Sequence, residues 1–265
     1  MRKIGRCFLS FLPVVLFLGS TVKAQGVYGK TAKLDGLREI EISKALQQMP
    51  ETGRGPEDFV APHWMILNRA EGDLNADGIK DFAFILTLDE EDTKYIESLK
   101  KLDEDDGWIY QTFIIVVIDS RGDRKLHLSA INYQLFGNSN ATVSGDERGE
   151  FKVSFKKNVL DVIVNYGGSQ RTDATFHFRE DPPTGGFLTL IGFDVESYCV
   201  TLTESCGKSK MSENYLTSTR VVTDYKIQGD KLVGTDKRTQ IPPVKIDFMD
   251  ASLNESNHKD FMRPF

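Results

Sequence analysis

Cysteine, histidine and tryptophan are scarce in this chain, at three, four and two residues of 265. Cys7 precedes a leading apolar run, which leaves Cys199 and Cys206 for the body of the protein, without the C-x-x-C spacing of redox or zinc sites. The four histidines, His63, His127, His177 and His258, form no H-E-x-x-H pair, and neither G-x-S-x-G nor a P-loop occurs. His127 and His177 alternate with apolar residues, as half-buried strand residues do. Basic charge is also short. Nucleic acid and anionic membranes repel an acidic surface, so neither is an expected partner. After the first twenty-odd residues no apolar stretch approaches the ~18 residues of a spanning helix.

What is present begins with "MRKIGRCFLSFLPVVLFLGSTVKAQG". Arg2, Lys3 and Arg6 precede an apolar run from Phe8 to Leu18, and Val22-Lys23-Ala24 offers a small-residue cleavage pattern. Residues 1–24 read as a signal peptide cut after Ala24, giving a soluble periplasmic or secreted product with no membrane span. Four of the 33 basic residues lie in that segment, so the remaining 241 residues carry 29 basic against 39 acidic groups, a net charge near −10. Cys199 and Cys206 in "SYCVTLTESC" are expected to form a disulfide closing a hairpin or bend, with free thiols as the alternative.

The body, residues 25–250, reads as one mainly β domain of antiparallel sheets with one N-terminal helix and a short helical insert. The helix falls at Leu34–Met49, with Leu34, Leu37, Ala45, Leu46 and Met49 on one side and Pro50 as its stop. The insert, Glu90–Gly107, is charged, with Tyr95, Leu99 and Leu102 inward. The segments "HWMILNRAEG" and "DFAFILTL" predict a hairpin over 64–88. Later strands flank turns at Ser120–Asp123, Lys157-Asn158, Pro182–Gly186 and Gln228–Asp230. Residues 251–265 are polar and unpatterned, as a mobile tail is.

Between the strands of the first hairpin stands "GDLNADGIKD". Asp73, Asn75, Asp77 and Asp81 occupy positions 1, 3, 5 and 9, Gly78 position 6, and the Ile79 carbonyl position 7. Alternating oxygen donors in a tight loop converge on one point, and hard oxygens without nitrogen or sulfur select Ca2+. Position 12 is Phe84 rather than the glutamate of the helical calcium loop, so closure falls to Asp81. The alternative is an Asx-rich turn whose side chains cap its own backbone. With every donor on one loop, the ion would pin a hairpin rather than catalyse.

Other motifs have plainer explanations. "RGD" at Arg121–Asp123 has the glycine a hairpin turn needs. Asp103–Asp106 reads as a solvated acidic run, and Trp64, Trp108 and Tyr110 read as core more readily than as a sugar-stacking face. "NYGGSQR" exposes backbone amides beside Tyr166, Ser169 and Arg171, either as a recognition loop or as an ordinary hairpin turn.

The calcium loop resembles those of FG-GAP repeats in integrin α-subunits, where it joins two strands of a hairpin. The loop followed by "NYGGSQR", "FLTLIGFD" and "NYLTS" resembles exported, mostly uncharacterised bacterial proteins with one D-N-D-G loop and Y-G-G-S, L-I-G-F/Y and N-Y-L-T segments. The resemblance spans roughly Trp64–Pro243 and departs at Ser218, where a glycine is usual, and in the insert at 90–107. It implies an exported, calcium-binding β domain and supplies no reaction. The expectation is a non-enzymatic module that recognises a protein or glycan. The alternatives are an envelope hydrolase with a site near Tyr166–Arg171 and an inhibitor or immunity-type protein against a secreted toxin.

Overall fold

The computed structural model describes residues 36–102, 112–120, 122–135, 150–167, 169–181, 187–203, 206–228, 231–243 and 245–251. The signal segment, Asp103–Asp106, Trp108, Tyr110, Arg121 and residues 252–265 lie outside them, as do the side chains of Tyr166 and Cys206.

Two antiparallel sheets make the fold, so it is mainly β as expected. The first comprises β1 (Thr52–Gly53), β2 (Trp64–Gly72), β3 (Asp81–Leu88), β4 (Phe113–Ser120) and β5 (Leu126–Asn132), in the order β1-β5-β4-β3-β2. The second is a seven-stranded meander: β6 (Glu150–Lys156), β7 (Val159–Tyr166), β8 (Gln170–Asp181), β9 (Phe187–Thr203), β10 (Cys206–Asn214), β11 (Thr219–Gln228) and β12 (Lys231–Gln240). Helix α1 (Gly36–Gln48) precedes the first sheet, and α2 (Thr93–Lys100) lies between β3 and β4.

The apolar runs of β3 and β4 are nearly continuous because both faces of the first sheet are covered. Ala83, Ile85, Ile115 and Val117 share a buried cluster with Val162, Val164, Phe176 and Val195 of the second sheet. Their strand neighbours Phe84, Leu86, Ile114 and Val116 share another with Ile42, Ala45 and Leu46 of α1 and Ile96 and Leu99 of α2. The arrangement is therefore helices on sheet on sheet.

Three expectations need correction. Helix α1 buries Arg38 and Glu41 beside Ile42, Ala45 and Leu46, which a count of apolar residues alone does not reveal. In α2 Tyr95 and Leu99 pack inward as expected, joined by Ile96, while Leu102 is 67% exposed because the helix has ended at Lys100. Ala251, assigned to the tail, is buried: Asn132 donates from Nδ2 to the carbonyls of Phe248 and Ala251.

The two sheets join at one corner. Asn68, beside a bulge in β2, accepts the backbone N–H of Val153 on edge strand β6 at 2.8 Å. A Cβ on Gly72 would lie 2.3 Å from Phe155 Cγ, so this glycine makes room for the ring. At the far edge, every residue of β12 is exposed.

Candidate functional site

The loop between β2 and β3 is held at both ends and open at its tip. Leu74 is 3% exposed and belongs to the core between the sheets. Asp81 is 0% exposed and accepts the N–H of Leu74 at 2.7 Å and that of Ser120, at the end of β4, at 3.0 Å. Burial pushes its carboxyl up, the two amides pull it back, and the Asp77 and Asp119 carboxylates add to the rise. Residues 75–80 are exposed. Ala76 and Gly78 take left-handed backbone at φ +61° and +82°, so the glycine does serve the turn.

Within the tip the donor side chains point at their own backbone. Asp73 accepts the N–H of Asp77 at 3.1 Å and that of Gly78 at 2.9 Å. Asn75 shares the Asp77 N–H at 3.0 Å, and Asp77 accepts that of Ile79 at 2.7 Å. Among the described residues no three His, Cys, Asp or Glu side chains are gathered as a metal ion would need. The donor set nevertheless suits a hard cation in its chemistry. Asp73, Asn75, Asp77, Asp81 and the Ile79 carbonyl offer oxygen only, and a carboxylate oxygen that accepts one N–H keeps a second lone pair.

The "NYGGSQR" segment is the tight turn between β7 and β8, with Gly167 at φ +103°. A Cβ there would stand 2.1 Å from the Gln170 carbonyl oxygen, which is why the turn needs glycine. Ser169 and Arg171 are exposed, and the Ser169 carbonyl accepts the Val200 N–H at 2.9 Å. Asp123 of the RGD triplet accepts the Lys125 N–H and pairs with His127 at 2.9 Å, within a hairpin turn. Trp64 is 6% exposed and belongs to the helix-side core. Cys199, 7% exposed on β9, and Cys206, the first residue of β10, lie on opposite arms of one hairpin.

The seven-stranded sheet turns its second face to solvent, and there register makes rows that the sequence conceals. Arg171 stands opposite Tyr198, which stands opposite Lys208. The Lys208 ammonium lies 5.4 Å from the centre of the Tyr225 ring, forms an ion pair with Glu196, and is 6.0 Å from the Tyr198 ring. Tyr225 in turn lies over Gly234 of β12, whose Cβ would come within 3.0 Å of the ring.

On the same face His177 on β8 bridges two carboxylates, Asp161 of β7 at 2.6 Å and Asp194 of β9 at 3.2 Å. These bonds, Asp161 first, push His177 up to about 9 against some opposition from burial. Burial raises Asp161, but His177 and Lys156 outweigh it and hold that carboxyl below its usual range. Asp194 is lowered chiefly by His177. The half-buried strand position expected for His177 is correct, and its ion pairs were not foreseen.

Sequence reasoning also missed a cavity of about 290 Å3 lined by Glu41, Lys44, Ala45, Gln48, Pro62, His63, Trp64 and Tyr95. The Glu41 side chain is 2% exposed, pairs with Lys44 at 2.6 Å and accepts the Tyr95 hydroxyl. Burial, and then the Glu41 carboxylate, push the Tyr95 phenol far up, so it remains a donor. His63 stacks on Tyr95 with ring centres 3.8 Å apart and bonds Asp92 at 2.8 Å. The one local hint was a helix with a glutamate on its apolar side, and its partners come from distant segments.

No helix among the described residues is long and apolar enough to cross a membrane. Compared with family models, curated proteins and solved structures, the chain matches none.

Proposed function

We propose that this chain is an exported, non-enzymatic β domain that recognises a protein or glycan and whose β2–β3 hairpin is braced by Ca2+. The observation that carries it is the loop itself, with oxygen donors at alternating positions of a tip turned by Gly78 and anchored by Leu74 and Asp81. Asp73, Asn75, Asp77, the Ile79 carbonyl and Asp81 would hold the ion. Its contribution would be positive charge among the loop's carboxylates, which would lock β2 to β3 and, through Ser120, to β4. The exported state rests on the leading segment, and an exported chain would allow Cys199 and Cys206, on opposite arms of the β9–β10 hairpin, to form a disulfide. The resemblance to exported proteins with a single calcium loop points the same way.

The face that would serve recognition in this reading is the open face of the second sheet. Arg171 of "YGGSQR" continues there into Tyr198, Lys208 and Tyr225. Flat rows of tyrosine with a planar or point cation suit sugar rings and protein surfaces alike, since tyrosine gives large contact area at low entropic cost. The test is a glycan array, with soluble bacterial polysaccharides added, probed with wild type and with Tyr198→Ala/Tyr225→Ala in calcium. Saturable binding by wild type, lost in a double variant of unchanged circular dichroism, supports the reading. Binding unaffected by the double substitution removes this face from the proposal.

A further inference from the structure

We infer that the cavity between α1, Trp64 and α2 is a binding site for a small primary amine, with the Glu41 carboxylate as its counter-ion. The inference is independent of the calcium loop and of the open sheet face.

A carboxylate with 2% of its side chain exposed needs partners for its charge, because burial removes the water that would otherwise solvate it. Glu41 has two. The Tyr95 hydroxyl is neutral and comes from a different helix, so it fixes one oxygen without cancelling the charge. The Lys44 ammonium supplies the cation on the other oxygen. Lys44 lies one turn further along α1, and its side chain is 53% exposed. Water can serve the half-exposed ammonium as well as Glu41 does, whereas the buried carboxylate has no such substitute and requires a cation beside it. When Lys44 turns outward it uncovers a buried anion lining the cavity, and a ligand ammonium is the group that replaces it atom for atom.

The walls decide what the ammonium is attached to. Ala45, Pro62 and the bodies of Trp64 and Tyr95 are apolar or aromatic, and Tyr95 is held flat against His63 with 11° between the rings. A cavity of ~150 Å3 is enough for benzene. About 290 Å3 therefore accepts a six-membered ring with a one-carbon amine arm. The Asp92 carboxylate, bonded to His63, and Glu41 itself oppose a carboxylate ligand. A neutral alcohol would leave the Glu41 charge with no new partner. His63 also stands at φ +68°, a conformation that β-carbon residues seldom adopt and that clusters at binding sites. Asp92 and the Tyr95 ring restrain it there.

Titration calorimetry of the full mature chain at neutral pH with benzylamine, benzyl alcohol and benzoate tests the inference. Benzylamine is expected to bind saturably, and the alcohol and the acid about ten-fold more weakly or less, the difference a charged hydrogen bond makes. Lys44→Met removes the internal competitor and should tighten benzylamine by about two-fold or more, an exposed ion pair setting the lower bound because Glu41 is buried. Glu41→Gln, which keeps an acceptor for Tyr95, should abolish the preference for the amine. If Glu41→Gln does not fold, the half-exposed Lys44→Met decides. The inference fails if benzyl alcohol binds as well as benzylamine. It fails equally if Lys44→Met leaves the affinity unchanged or weaker, or if neither wild type nor Lys44→Met binds the amine.

Discussion

The Asp161–His177–Asp194 bridge makes stability depend on pH in a predictable direction. His177 is pushed from 6.5 to about 9 in the folded chain, so between those values the folded state holds a proton that the unfolded state releases. The stabilisation is complete below about pH 6.5 and is lost as pH rises towards 9. Asp161 and Asp194 are shifted downward, so their share is present above 3.8 and is lost as pH falls through their depressed range. The bridge is therefore strongest between about pH 4 and 6.5. At 1.36 kcal/mol per unit the His177 shift sets a ceiling of about 3 kcal/mol, and screening at Asp194, whose side chain is 40% exposed, brings it to roughly 1–3 kcal/mol. Urea unfolding of wild type and His177→Gln at pH 6 and pH 9 measures it, because other titrations cancel in the difference. The wild-type advantage should shrink by about 1–3 kcal/mol at the higher pH. An advantage equal at both values, or larger at pH 9, would refute the charged bridge.

Two further outcomes follow from the packing and from the cysteines. Gly72→Ala brings a Cβ onto Phe155 and should cost about 1–3 kcal/mol of unfolding free energy in urea, with recovery in Gly72→Ala/Phe155→Ala. Should Gly72→Ala be neutral, the close approach of β2 to the Phe155 ring is wrong. Reducing the proposed Cys199–Cys206 bond reopens an eight-residue loop and should lower stability by about 2 kcal/mol, whereas Cys199→Ser/Cys206→Ser should show no response to reductant. Two free thiols by Ellman titration of the unfolded, unreduced chain would contradict the bond.

Much of the fold was legible because its signals are local. The runs "DFAFILTL" and "TFIIVVID" are apolar without interruption, and the Lys157-Asn158 and "YGGS" turns carry residues for left-handed or tight backbone. Strand β10 was not legible. "CGKSKMSEN" presents Ser209, Met211 and Glu213 to the buried side, so it lacks an apolar alternation. Glu213 is tolerated there because Arg220 on β11 and the Tyr215 hydroxyl answer it, a pairing that exists only after the strands meet. The β2–β3 loop was readable as a pattern of oxygen donors, while the inward turn of Asp81 onto Leu74 and Ser120 depends on β4, distant in sequence. Glu41, His63 and Tyr95 lie on three separate segments, and no spacing rule joins them.

The central claim is a calcium ion in the β2–β3 loop, and the thermal midpoint of residues 25–265 in calcium, magnesium and chelator tests it most directly, with Asp77→Ala alongside. At ~100-fold excess over its dissociation constant one ion adds about 2.7 kcal/mol, which is roughly 5–10 °C for a chain of this size. The account predicts a rise of that order in calcium and not in magnesium. It predicts no rise in Asp77→Ala, whose midpoint in chelator should stay close to that of wild type. Equal wild-type midpoints in calcium and chelator would contradict it and leave Asp73–Asp81 as a turn that caps its own backbone.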